Sequence, residues 1–400
     1  MSGKRKAEDE EAQPKRITIR LPDDFHHHVR DGKATSSVLE HATERFGRCL
    51  CMPNLKPPVT TVDLALEYKQ RILSSMPKDS KNSEFQPVMT LYLTDNTTPE
   101  EIRKASALKN EDGITPTIVG CKYYPAGATT NSEFGVSDIS KVYPAIQEME
   151  NVGMMLCIHS EVTHADIFER EPIFIDEIMK PLVAKFPKLK IVMEHISTKE
   201  AVDYVLNEAP ANVKASITCH HLIYNRNRKF YKHAVDHYIS KQYSNRFNVF
   251  VSILCFSVYM YTDMLVGGIK PHLYCLPILK AEKHRKALVG AATSGNPKFF
   301  LGTDSAPHAT HTKESSCGCA GVYSAHCCIE IYATVFDSEN KLDMLENFCS
   351  KYGADHYGLP YNKSTITLEK TSWIVPETYR FGNDTVTPLM AGEEVEWKIV

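Results

Sequence analysis

Eight short apolar or β-branched runs recur along this chain, most followed by an amphipathic stretch of helical period, and that alternation leaves few ways to fold. The runs cover residues 17–28, 49–54, 88–95, 117–123, 154–159, 190–195, 213–221 and 299–304. Helical patterns lie between them at 61–73, 99–108, 139–151, 173–186 and 199–207. Strand alternating with helix in this way marks an α/β fold of the (β/α)8, or TIM, barrel kind, in which functional side chains collect at the carboxyl ends of the strands. Residues 17–400 are read as one such barrel with a C-terminal extension, the mixed tail 363–400 packing against it. The chain is long enough: 400 residues, 42% of them hydrophobic, can bury a barrel-sized core.

The formal charge of −3 argues against broad electrostatic binding to nucleic acid or acidic membranes. Residues 1–16 form a charged tail expected to be disordered; Lys4-Arg5-Lys6 and Lys15-Arg16 outline a bipartite nuclear address, but a plain solvated tail is the reading kept. The opening residues lack the apolar stretch of a signal peptide. Twelve cysteines are scattered through apolar runs without a small secreted framework, so free, mostly buried thiols in a reducing cytoplasm are expected.

The chemistry starts at Asp24-Phe25-His26-His27-His28-Val29-Arg30. Side chains alternate along a strand, so His26 and His28 share one face and can grip one metal ion, while His27 points away. Arg30, on the same face, can hold an anionic substrate beside it. Later runs end in matching residues: Lys122, His159, His195 and Asp304. Singly, each is ambiguous. A strand-ending histidine is more often structural, Lys122 could reach the surface, and Asp304 could cap the next helix. A buried ammonium is expensive, however, and burial favours a neutral amine that can take up carbon dioxide as a carbamate. Four histidines and an aspartate converging on one rim make ligation the stronger reading.

The runs PDDFHHHVRDG, CMPNLKPPVTTV, CKYYPAGATTNSEFGV, IHSEVTHADI, MEHISTKEA, KPHLYCLPILK and FLGTDSAPHATHTKESSCGCAG resemble dihydroorotase, of the compact monofunctional type within the amidohydrolase superfamily. The resemblance implies two zinc ions per subunit. His26, His28 and Asp304 would bind one, and His159 and His195 the other. Lys122, carboxylated on its side-chain nitrogen, would bridge both together with a hydroxide. It implies that Asp304 moves the reaction proton, that Arg30, Asn54 and His308 bind the substrate carboxylate, and that the Leu276 and Ala320 backbones meet the ring amides. Thr129 and Thr130 would ride on a mobile loop. The implied activity interconverts N-carbamoyl-L-aspartate and dihydroorotate plus water, the third step of pyrimidine (UMP) biosynthesis, in a cytoplasmic homodimer. Dihydropyrimidinase, hydantoinase and allantoinase share the metal ligands, and their rings need no carboxylate clamp. A noncatalytic scaffold on the same barrel would usually lack a ligand.

One segment departs from the pattern. Between Asn225-Arg226-Asn227 and Met264-Leu265 the family needs about one residue, whereas this chain has 228–263, in the connection after the seventh strand. Arg228-Lys229-Phe230 can be encoded C|GT AAG TTT, a donor-site consensus, and Thr262-Asp263 can be encoded ACA G|AC. Removing what lies between the bars leaves a histidine codon and restores the frame. A retained intron is favoured over a lineage-specific insertion serving as lid or dimer contact. Sequencing the mature transcript checks this: the expected message lacks the segment, and a spliced message encoding it removes the intron reading.

Overall fold

The computed structural model describes residues 14–78, 82, 85–110, 112–227, 269–316 and 318–400. The first 13 residues of the expected tail and the 228–263 segment lie outside them; Arg16, assigned to that tail, is instead ordered and opens the first strand.

The first apolar run makes two strands where one was expected. β1 (Arg16–Arg20) pairs antiparallel with a strand of the C-terminal tail, while β2 (Asp23–His27) opens the barrel. Pro22 explains the break: it has no N–H to give to a ladder, and the chain changes sheets there. The barrel continues through β3 (Arg48–Cys51), β4 (Gln86–Tyr92), β5 (Ile118–Tyr123), β6 (Met155–His159), β7 (Ile191–Glu194), β8 (Val213–Ile217) and β9 (Phe299–Leu301), paired in parallel in that order. The seventh run is shorter than its apolar pattern. Thr218 caps a helix, Cys219–Ile223, so His221 sits on a helix and not on a strand. β10 (Thr365–Glu369) lies between β1 and a last strand, Lys398–Ile399. Among the described residues no helix is long and apolar enough to cross a membrane.

Alternation sorts the barrel residues into two layers. Cys49, Cys51, Leu91, Cys121, Leu156, Ile191 and Met193 face outward into the layer shared with the helices. Leu50, Val88, Val119, Met155, Cys157, Val192 and Phe300 face inward. The amino-terminal end of the barrel is plugged by Phe25, which stacks on Tyr357 with ring centroids 4.7 Å apart and meets Phe300 edge-on at 5.6 Å. With its floor filled, the barrel can open only at the carboxyl ends of its strands. The ten described cysteines are free, nine of them buried.

His356, beside this plug, donates from Nε2 to the Ile191 carbonyl at 3.1 Å, and burial pushes its imidazole down to about 3. It is therefore neutral when folded but protonates near its ordinary 6.5 once unfolded, so the unfolded state binds more protons between those values and stability falls as pH falls through that window. Thermal scans across it are expected to show a shallower acid-side loss of Tm for His356→Gln than for the parent. Equal slopes would remove His356 from the account.

Candidate active site

The first and last barrel strands meet through backbone bonds beyond their ladders: Asp304 N donates to His26 O at 3.0 Å and His28 N to Ser305 O at 3.1 Å. This seam puts Asp304 beside both histidines. The Asp304 Oδ1 lies 3.3 Å from His26 Nε2 and 3.0 Å from His28 Nε2, and the two imidazole nitrogens are 3.3 Å apart. His27, as its alternate position requires, turns the other way and bonds Asp24 at 2.7 Å. Rings of His26 and His195, and of His195 and His159, follow with centroids 4.9 Å apart.

All the expected site residues except Lys122 line one pocket at this end of the barrel. Arg30 reaches His308 Nε2 at 3.1 Å through Nη2 and the Pro307 carbonyl at 2.9 Å through Nε. Thr130 Oγ1 accepts from the Ala320 N–H at 3.1 Å, and Leu276 completes the wall. Lys122 lies deeper and is fully buried. Its Nζ is 4.6 Å from the Tyr124 ring centroid and pairs with Glu194.

Glu194 is a residue that pattern reasoning missed. Strict alternation would put neighbours Glu194 and His195 on opposite faces. His195 instead has φ 44°, a left-handed conformation that lets both serve the interior. Arg30 (φ 65°) and Asp304 (φ 46°) are twisted the same way, so three site residues hold strained backbone. Glu161 was missed too; it lies just past the end of β6, where its N–H turns back to the His159 carbonyl at 3.1 Å. Asn54, expected at a carboxylate, also accepts from His28 Nδ1 through Oδ1 at 2.9 Å.

These partners decide which nitrogens are bare. His28 gives its Nδ1 proton to Asn54, His159 gives Nε2 to Glu161 at 2.8 Å, and His26 Nδ1 faces Glu194 at 3.1 Å. His28 and His159 are thereby each left with one nitrogen free to ligate. His195 Nδ1 is buried without a hydrogen-bond partner. The donor set fits a metal centre: His26, His28 and Asp304 offer ligand atoms within 4.8 Å of one another, as do His26, Glu194 and His195. Nitrogen and oxygen donors without thiolate suit zinc. Burial alone would push His26 down, but Glu194 and Asp304 hold it up at about 9. Burial drives His28 to about 4. Asp304 would be raised by burial, yet His26 and His28 keep it well below the usual carboxylate range.

The chain belongs to the amidohydrolase family, whose model matches residues 23–377. Within that family its close relatives are dihydroorotases. It is 52% identical over 385 residues to the dihydroorotase of Aliivibrio fischeri strain MJ11, covering 96% of this chain and 99% of the relative. The crystal structure of dihydroorotase from Campylobacter jejuni superposes with a TM-score of 0.78 at 31% identity, covering 98% of this chain and 99% of that one. That of the Saccharomyces cerevisiae enzyme, in complex with 5-fluoroorotic acid, gives 0.76 at 29% identity, covering 97% and 99%.

A cation held by His26, His28 and Asp304 would displace the proton that Glu194 and Asp304 favour on His26. Zinc loading of the apo protein at about pH 7.5 is expected to release at least one proton, that of His26, besides any given up by Lys122 and bound water. Calorimetry in two buffers of different ionisation enthalpy measures it, and zinc uptake without proton release would contradict the geometry.

Proposed function

We propose that the chain catalyses the dihydroorotase reaction, the reversible hydrolysis of dihydroorotate to N-carbamoyl-L-aspartate, the third step of pyrimidine (UMP) biosynthesis. The observation that carries this reading is a half-buried arginine, Arg30, facing the same pocket as five metal-type donors, in a chain half identical to named dihydroorotases.

His26, His28 and Asp304 would hold one zinc ion, His159 and His195 a second, and Lys122, as N6-carboxylysine, would bridge them with a hydroxide. When bound, the two ions supply Lewis-acid chemistry, activating water and polarising the ring carbonyl. The chain's own residues do the rest. Asp304 accepts the proton of the attacking water and delivers it to the ring nitrogen as the C–N bond breaks. The carbonyl carbon becomes a carboxylate, the other proton of the water passing to solvent, and the nitrogen leaves as the terminal amide of the ureido group. Run backwards, the same steps close the ring and release water.

Arg30, Asn54 and His308 would clamp the substrate carboxylate, a charge-assisted grip suited to a guanidinium. Burial and the nearby Arg30 charge press His308 down to about 2, so it enters that clamp as a neutral ring. The clamp separates this reading from the hydantoinase-like alternative, whose substrates lack a free acid. The same reading carries a small-molecule substrate and a cytoplasmic homodimer, the buried free thiols favouring a reducing compartment.

Turnover of dihydroorotate by the purified protein, paired with metal analysis, tests the reading directly. Zinc-loaded protein that leaves dihydroorotate untouched would overturn it. Arg30→Met is expected to raise KM for the acid by roughly a hundredfold while sparing metal content. An equal loss on uncharged rings would remove the clamp assignment.

A further inference from the structure

Lys313 ends the short helix Thr310–Lys313 and is 3% exposed, yet it has no part in the chemistry above. Its ammonium donates to three backbone carbonyls, those of Tyr274 at 2.7 Å, Cys319 at 2.8 Å and Gly321 at 2.7 Å. Three N–H donors meet three acceptors, so the buried charge is fully engaged. The acceptors come from two separate stretches of chain. Tyr274 lies two residues before Leu276, while Cys319 and Gly321 flank Ala320.

The two stretches are also joined directly, Gly321 N donating to Tyr274 O at 3.0 Å. At Gly321 the pocket wall is bare backbone. Its φ is +147°, and a Cβ there would lie 2.5 Å from the Ala306 carbonyl, so only glycine fits. Ala320 O meets His308 Nε2 at 3.0 Å, which ties this wall to the Arg30 side of the pocket.

We propose that Lys313 is a positioning residue that braces the Leu276 and Ala320 backbones as one ring-binding edge. The inference rests on the proposed reaction, in which those two backbones meet the substrate amides. Backbone donors and acceptors serve recognition only when held at fixed spacing. A point charge that gathers three carbonyls fixes that spacing, and an uncharged side chain of similar length cannot. Lys313 touches neither the metal-type donors nor the reacting atoms, so its loss acts on binding and leaves the chemical step alone.

The test uses zinc-loaded parent, Lys313→Met and Lys313→Gln, with steady-state kinetics on dihydroorotate, zinc analysis, and hydrogen exchange read on peptides covering Tyr274–Leu276 and Cys319–Val322. The expected result is a KM raised roughly tenfold to a hundredfold, with kcat within about threefold of the parent. Zinc content stays at the parent level and amide exchange quickens in both peptides together. Unchanged KM and exchange would overturn the proposal. So would variants that unfold or lose zinc, since these mark a lysine needed only for the fold. If the parent itself leaves dihydroorotate untouched, the proposed reaction fails while exchange still decides whether Lys313 braces both stretches.

Discussion

The site depends on one buried carboxylate that closes the barrel. Asp24 Oδ1 accepts from the backbone N–H groups of His26 (3.1 Å) and Thr303 (2.8 Å), and Oδ2 accepts from His27 Nδ1 (2.7 Å) and Thr303 Oγ1 (2.5 Å). Donors from the first strand and from the end of the last one thus converge on a single side chain. Breaking such a cluster would strand several buried polar groups, each costing about 1–3 kcal/mol. The strands also approach closely here: a Cβ on Gly302 would stand 2.8 Å from Ser216 Cβ and 3.3 Å from His26 Cβ. With the seam fixed, Asp304 has no choice but to face His26 and His28.

Much of this was legible in the chain because barrels obey simple periods. Alternation put His26 and His28 on one face and His27 on the other, and the strand-end rule put His159, His195 and Asp304 on one rim. What stayed hidden depended on departures from those periods. Glu194 reaches the interior because His195 takes a left-handed backbone, which no residue type announces. The division of the first run at Pro22 was readable in principle, since proline cannot pair in a central strand, but the continuous apolar pattern of Ile17, Ile19 and Leu21 outweighed it. Lys122 is the instructive mixed case. Its burial followed from its place in an apolar strand, whereas its partner Glu194 comes from far along the chain.

The carboxylates and amide around the histidines explain how one cage can serve several metal-type donors. An imidazole has two nitrogens, and a ligand needs one of them bare. Asn54 and Glu161 each hydrogen-bond one nitrogen of His28 and His159, which fixes the tautomer and aims the other, while Glu194 lies 3.1 Å from His26 Nδ1. Glu161 is itself backed by Lys280, 4.0 Å away. Orientation is therefore set by Glu194 and Glu161, which do not line the pocket, and by Asn54, which does.

Ligation and recognition are consequently built from different material. The metal-type donors come from strand ends, whose positions the barrel's parallel ladders determine. The pocket wall that would read the substrate comes from connections after β2, β3, β5 and β9 and from the stretch around Leu276. Loops lack ladder bonds, so their backbones need other restraints to present amides at set distances. Asn131 Nδ2 bonded to the Asn54 carbonyl at 3.1 Å, Thr130 on Ala320, and the Lys313 ammonium on three carbonyls are such restraints. A shared barrel can thus keep one metal cage while these tethers change with the ring to be bound. On the proposed reaction, substrate identity is accordingly carried by the tethered loops, and reaction class by the strand ends.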